Sequence, residues 1–250
     1  LINRKTKREI ELMNEAGTIL ANCHKEIAKM IKPGITTIEI NEFVEAYLKK
    51  HDATPEQKGF HGYEYATCAS INDEICHGFP RNTPLKEGDI VTVDMVVNYR
   101  GGLADSAWSY RVGNVSEEAD RLLKLTKEAL YIGIEQCVEG NRIGDIGHAI
   151  QTFAEGHGLS VVRDFSGHGI GPTLHEQPMI PHYGTSGTGP RLKEGMVITV
   201  EPMLNLGLYH SIMGDNGWTA RTVDGELSAQ YEHTIAITSE GPLILTEQDE

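Results

Sequence analysis

Apolar residues near the start of the chain recur at helical spacing. Ile10, Met13, Leu20, Ile27 and Ile31 follow one stripe, and Thr6 with Glu9 three residues on forms a capping-box start. Pro33-Gly34 ends the pattern. Thr36 and Glu39 repeat the start signature, and Ile40, Val44, Tyr47 and Leu48 carry a second helix. Ser116 caps a third, with Leu122, Leu123, Leu125, Leu130 and Ile134 apolar, ending near Gly140. A fourth runs through Ile146, Ile150 and Phe153 to Gly156 or Gly158. Short β-rich runs lie between and after these: Ile90 to Val97, Val197 to Val200 and Ile235 to Thr238. Helices and strands are mixed without the strict alternation of a doubly wound sheet, so the expected class is α/β of the α+β kind.

The pattern also repeats. Leu85-Lys86-Glu87-Gly88-Asp89-Ile90-Val91-Thr92-Val93-Asp94 recurs 107 positions later as Leu192-Lys193-Glu194-Gly195-Met196-Val197-Ile198-Thr199-Val200-Glu201. Upstream, at an offset of 106, Gly34 matches Gly140, Ile40 matches Ile146, Val44 matches Ile150, Tyr47 matches Phe153 and His51 matches His157. Chance turn chemistry does not keep register so long. The expectation is a single domain over 1–250, built from two related halves, about 33–97 and 139–204, packed around a pseudo-twofold axis.

Composition sets limits on function. Acidic residues outnumber basic ones 36 to 22, a net charge of −14, which argues against generic binding to nucleic acid or anionic membranes. No apolar run approaches the roughly 20 residues that span a bilayer. Cys23, Cys68, Cys76 and Cys137 form no C-x-x-C pair, so neither a disulfide framework nor a cysteine zinc site is expected. The polar, basic start from Leu1 to Arg8 leads into no apolar signal core, which points to a cytoplasmic location.

Each copy of the repeat ends its strand on a carboxylate, Asp94 or Glu201. Arg100-Gly101-Gly102 reads as a turn. A loop centred between Tyr99 and Arg100 sets Asp94 directly opposite Asp105, with Cβ atoms about 4.5–5.5 Å apart. Two carboxylates so close must share a proton or hold a cation. Glu232 also adjoins a β run, and His168 lies among glycines in Gly167-His168-Gly169-Ile170-Gly171. Four acids and one imidazole favour the cation. Such an oxygen-rich set suits two divalent ions, Mn, Fe or Co better than Zn, which could share a hydroxide and polarise a carbonyl.

These residues resemble type I methionine aminopeptidases of the compact bacterial kind, whose pita-bread fold sets two pseudo-symmetric halves around a dinuclear metal centre. The markers are His61-Gly62-Tyr63, the segments Ser70-Ile71-Asn72 and Cys76-His77-Gly78, Asp94 and Asp105 eleven apart, His168-Gly169-Ile170-Gly171, His175-Glu176 with Pro178, Glu201-Pro202, and Ser228 through Thr234. The resemblance implies removal of the initiator methionine from nascent chains near the ribosome, with Asp94, Asp105, His168, Glu201 and Glu232 as metal ligands. It implies His77, His175 and Glu201 as catalytic groups, His77 and His175 also touching substrate. It implies a methionine pocket from Phe60, Tyr63, Cys68, Leu174 and Trp218, and a monovalent-cation site near Asn72 and Ser228. Leu174 departs from the usual aromatic residue. The expected protein is a monomer without a nucleic-acid or membrane partner. Two rivals are a proline-specific aminopeptidase or prolidase of the same fold, which usually carries an added N-terminal domain, and a non-catalytic peptide-binding relative.

Overall fold

The computed structural model describes residues 1–249. Four long helices carry most of the helical content: α1 (Lys7–Met30), α2 (Thr37–Lys50), α3 (Glu117–Glu135) and α4 (Ile143–Gly156). Thr6, Thr36 and Ser116 cap the first three through side-chain oxygens that accept a backbone N–H three residues on. At the fourth start the reciprocal bond comes from Asp145, whose carboxylate accepts from Arg142 N at 2.7 Å.

The strands pair antiparallel. In the first half, Ile90–Tyr99 lies between Gly102–Arg111 on one side and Thr54–Pro55 and Cys68–Ile71 on the other. In the second half, Val197–Val200 and His233–Thr238 are central, flanked by Gly167–Gly169, Glu176–Ile180 and Gly241–Ile244. Two three-stranded sheets complete the walls: Ser160–Val161, Met203–Asn205 and Ser228–Gln230 in one, Glu74–Cys76, Ser211–Met213 and Ala220–Thr222 in the other.

Each half has its own core. Leu20, Ile27, Ile40, Val44 and Leu48 from α1 and α2 pack on Val91, Val93, Met95 and Val97. Leu122, Leu130, Ile146 and Ile150 from α3 and α4 pack on Ile198, Val200, Ile235 and Ile237. Because side chains alternate along a strand, the intervening positions face away from the helices. Those positions are Thr92, Asp94 and Val96 in the first half, and Val197, Thr199, Glu201, Glu232, Thr234 and Ala236 in the second. The alternation therefore sends the acids to the inner face.

The two halves share local hydrogen bonds as well. Gly34 N donates to Leu85 O at 2.8 Å and Gly140 N to Leu192 O at 3.0 Å; Leu85 N donates to Ile35 O and Leu192 N to Asn141 O, both at 2.7 Å.

One expectation needs correction. The hairpin register is Tyr99 to Gly102 and Asp94 to Ala107, so Asp105 faces Val96 and not Asp94. The turn is the two residues Arg100 and Gly101, both at positive φ (52° and 89°), and Gly102 already belongs to the strand. That conformation matches the twist of the flanking strands, and it moves the pairing by two positions. Parity survives a shift of two, so both acids keep the same face as diagonal neighbours.

The halves meet along Gly102–Arg111 and residues 228–238. Glu232 N donates to Ala107 O at 2.9 Å, Ser106 Oγ to Glu232 O at 2.9 Å and Ser109 Oγ to Gln230 O at 2.7 Å. Thr234 Oγ1 both accepts from Asp105 N at 3.0 Å and donates to Asp105 O at 2.7 Å. Changing Thr234 to Val keeps the shape and removes both bonds, stranding a buried N–H and carbonyl. We expect a loss of about 1–3 kcal/mol in urea unfolding, largely restored by Thr234→Ser. Equal stability of the Val variant and wild type would show that this seam carries no weight.

Candidate metal centre and adjoining pocket

Asp105, His168, Glu201 and Glu232 bring one ligand atom each to within 4.8 Å of one another. Asp105 is 5% exposed and Glu232 fully buried. Asp94 adjoins the cluster, lining the same cavity as Asp105, His168 and Glu201. Four of the five predicted ligands thus converge, with Asp94 beside them on the same inner face, although the strands that carry them are distant in sequence.

The surroundings hold these donors in place. His168 Nδ1 faces Gly169 O at 2.8 Å, so that nitrogen carries the proton. Nε2 lies 3.3 Å from Asp105 Oδ2 and 3.9 Å from Glu201 Oε2, where it donates an N–H when protonated and offers a lone pair to a cation once that proton is lost. Thr199 Oγ1 accepts from His168 N at 3.0 Å. Glu201 N donates to His182 Nε2 at 3.0 Å. Gly169 is required beside the histidine, since a Cβ there would lie 2.2 Å from Gln177 O.

The chemistry of the donor set fits divalent cations. Asp94 Oδ1, Asp105 Oδ1 and both carboxylate oxygens of Glu232 are buried without a hydrogen-bond partner. No lysine or arginine lines the cavity beside them. Burial, and then the charges of Asp105 and Glu201, push the Asp94 carboxyl well above the usual carboxylate range. Burial lifts Glu201 to about 8, Asp105 adding to the rise and His168 opposing it. Burial opposes charge on His168, but its Asp105 hydrogen bond and the two neighbouring carboxylates raise it to about 9. Unpaired anionic oxygens this deep are costly, and two small dications would satisfy them.

A cleft opens from the donors. It is lined by every expected pocket residue: Phe60, Tyr63, Cys68, Leu174 and Trp218, with His77 and His175 at its mouth. Tyr63 is fixed by its hydroxyl, which donates to Thr67 O at 2.7 Å, and its ring meets Trp218 at 5.2 Å. Leu174 sits in a small apolar cluster with Val96, Ile170 and Val197. His77 has a left-handed backbone, φ 58°, and its ring meets Phe165 edge-on at 5.5 Å. His175 meets the His168 ring edge-on at 4.4 Å. Burial keeps both of these histidines below the ordinary value, and His168 pushes His175 further the same way. Each is a neutral imidazole at pH 7, able to donate one N–H.

Asn72 and Ser228 lie together but outside this cleft. Ser228 N donates to Asn72 O at 3.0 Å, and the Asn72 side chain is occupied by Asp89 and Ile90 N. Sequence reasoning missed Gln57 and Val96 in the cleft wall, and the supporting roles of Thr199 and His182. Thr199 had a signal, since it is the Thr of the repeated Thr-Val-acid ending. His182 had none.

The profile of metallopeptidase family M24 matches residues 11–239. Methionine aminopeptidase 1 of Bacillus subtilis is 49% identical over 97% of this chain and 98% of its own. The methionine aminopeptidase of Clostridium perfringens is 46% identical over 98% and 99%. The crystal structure of the Rickettsia prowazekii methionine aminopeptidase superposes with a TM-score of 0.97 at 43% identity, covering 99% of this chain and all of that one. The prolidase of Pyrococcus furiosus superposes at 0.80 with 24% identity, this chain covering 66% of it, a likeness of fold alone.

Loading the donors with divalent metal should release protons. At pH 7 Glu201 and His168, with values of about 8 and about 9, are protonated when no cation competes. Affinity for Mn is therefore expected to rise as pH climbs toward about 9. Calorimetry at pH 7 in buffers of different ionisation heat should show more than one proton released per centre. Metal uptake without proton release would place the ions elsewhere.

Proposed function

The chain belongs to metallopeptidase family M24, with the pita-bread fold of its relatives, and we propose that it is a methionine aminopeptidase that removes the initiator methionine from newly made proteins. One observation carries this reading: the buried acidic donor cluster opens directly into a cleft walled by Phe60, Tyr63, Cys68, Leu174 and Trp218, with no lysine or arginine in its lining. Such a pocket accepts an uncharged, unbranched side chain and rejects Lys or Glu, which would be buried unpaired.

Asp94, Asp105, His168, Glu201 and Glu232 would hold two divalent ions, with Mn, Fe or Co suited to four carboxylates and one imidazole. Bound there, the ions polarise the scissile carbonyl and acidify water. Phe60, Tyr63, Cys68, Leu174 and Trp218 hold the methionine side chain, which turns the free amine toward the carboxylates. Glu201 takes the proton of the attacking water at its carboxylate and passes it to the leaving amine. His77 and His175 donate N–H to the carbonyl oxygen as it becomes anionic. The net charge of −14 gives no general attraction to RNA, so an encounter near the ribosome would rest on the emerging peptide itself. Among the described residues no helix is long and apolar enough to cross a membrane. All four cysteines are unpaired, which fits a reducing compartment such as the cytoplasm.

Peptides that differ only in their first residue test the reading. Norleucine should be released within about tenfold of Met, because small apolar differences are worth about 1–3 kcal/mol in such a pocket. Lys and Glu should fail, and Leu should be slow. Release confined to residues preceding Pro would instead support a prolidase-type enzyme.

His175→Ala should keep two metals bound, measured by atomic absorption, while kcat falls by about 10²–10³, the usual loss for one oxyanion donor. Loss of metal in that variant would make His175 a ligand and the five-residue set incomplete.

A further inference from the structure

We infer that the amino-terminal arm belongs to the catalytic apparatus: the buried ion pair between Lys5 and Glu176 is a positioning device for the loop that carries Leu174 and His175. The inference rests on the methionine aminopeptidase reading and assigns a function to two residues outside the methionine pocket, Glu176 lining a second cavity that adjoins the donors.

Lys5 Nζ lies 2.8 Å from Glu176 Oε2, with side chains 3% and 12% exposed. The arm is anchored on both sides of the pair's lysine. Arg4 Nε donates to Glu194 O at 2.7 Å, Lys5 N donates to Gly195 O at 2.6 Å, and Thr6 begins the capped α1. The ammonium therefore comes from a fixed point. Glu176 in turn immediately follows His175 and begins the Glu176–Ile180 strand.

The loop before it is held by Leu174 in its apolar cluster and by Thr173 Oγ1, which donates to His175 O at 3.5 Å, but its Glu176 end also meets the arm. Residues 170–175 run between two strands, and Gly171 N donates to Thr173 O at 3.1 Å within the loop. Gly171 packs against the ion pair: a Cβ there would lie 2.5 Å from Glu176 Oε2 and 2.6 Å from Lys5 Cε. His175 is open to the cleft, its ring touching those of His168 and Phe60. An imidazole aimed at an oxyanion works only if its backbone stays within a fraction of an ångström of the productive place. The ion pair pins that backbone one residue away.

Stability alone is a weak account of the pair. Burying two charges costs about as much as their attraction returns, and an apolar pair of similar volume often serves as well. What the pair supplies beyond that is direction, since Lys5 N is fixed on Gly195 O and its ammonium meets Glu176 Oε2.

The test compares Lys5→Met, Glu176→Gln and the double variant with wild type, all loaded with Mn. Activity on a Met-Ala-Ser peptide is read well below each unfolding midpoint. Each single change should lower kcat on the order of tenfold, less than the hundredfold that a 1 Å misplacement can cost. KM should stay within about twofold and metal stoichiometry unchanged. The double variant should lose no more than the worse single, because the two residues act as one unit. In the zinc-loaded protein the His175 imidazole resonance, assigned by its disappearance in His175→Ala, should shift in Lys5→Met. Glu176→Gln keeps shape and a hydrogen-bond acceptor, so it reports even if Lys5→Met folds poorly. Unchanged kcat in both singles with an unmoved His175 resonance overturns the inference, as does a double variant whose loss is the product of the singles. A wild-type chain that fails to release Met sinks the parent reading instead, while the His175 resonance still judges the clamp.

Discussion

Four carboxylates and one imidazole crowded into a buried seam form the constraint on which this molecule turns. Such a cluster is repulsive in itself, and only a rigid surround can impose it. The surround here is made of strands whose outward faces are sealed by helices and whose inward faces carry the acids. Asp94 and Glu201 sit at equivalent places because a strand alternates its side chains, and both halves use the same alternation. The hydroxyls of Thr199 and Thr234, and the neutral ring of His182, then saturate the backbone around the donors while leaving the carboxylate oxygens for cations. Burial also raises the proton affinity of Glu201 while no cation is bound, which ties metal loading to proton release.

The apolar pocket follows from the same architecture. Its floor is the inner face of the first-half sheet, through Cys68 and Val96, and its wall comes from aromatic residues on connecting segments. The chemistry stands on strands and the selectivity on loops. Substitution at Leu174 can therefore retune which side chain enters without disturbing the donors.

Much of this was legible in the sequence because it is periodic or repeated. Helix starts announce themselves through Thr6, Thr36 and Ser116, and the Lys-Glu-Gly repeat marks both acid-bearing strands. The hairpin register was not legible in detail. Arg100 adopts a left-handed backbone that a non-glycine residue rarely takes, so the turn is one of glycine type formed without two glycines. Only the parity of the strand, which a shift of two preserves, kept Asp94 and Asp105 on one face. His182, Gln57 and the Lys5–Glu176 pair were invisible for another reason. Their partners are 11 to 171 positions away in sequence, and no local pattern encodes a contact at that range.

The separate cores of the two halves have a consequence for how such a molecule tolerates change. Asp94 and Asp105 come from one half, and His168, Glu201 and Glu232 from the other. Each half packs most of its helices on its own core, Met13, Val96 and Leu103 meet Ile170, Val197 and Ala236 across the seam, and neither half holds a full donor set alone. Activity is a logical conjunction of two lobes, and selection for it acts on their relative placement more than on either interior. A chain divided in the connection near Gly113 would leave two fragments, each with a core to fold around and neither able to hydrolyse a peptide until they re-pair. Turnover in such a mixture would report docking of the lobes, a quantity that ordinary unfolding curves of the intact chain merge with everything else.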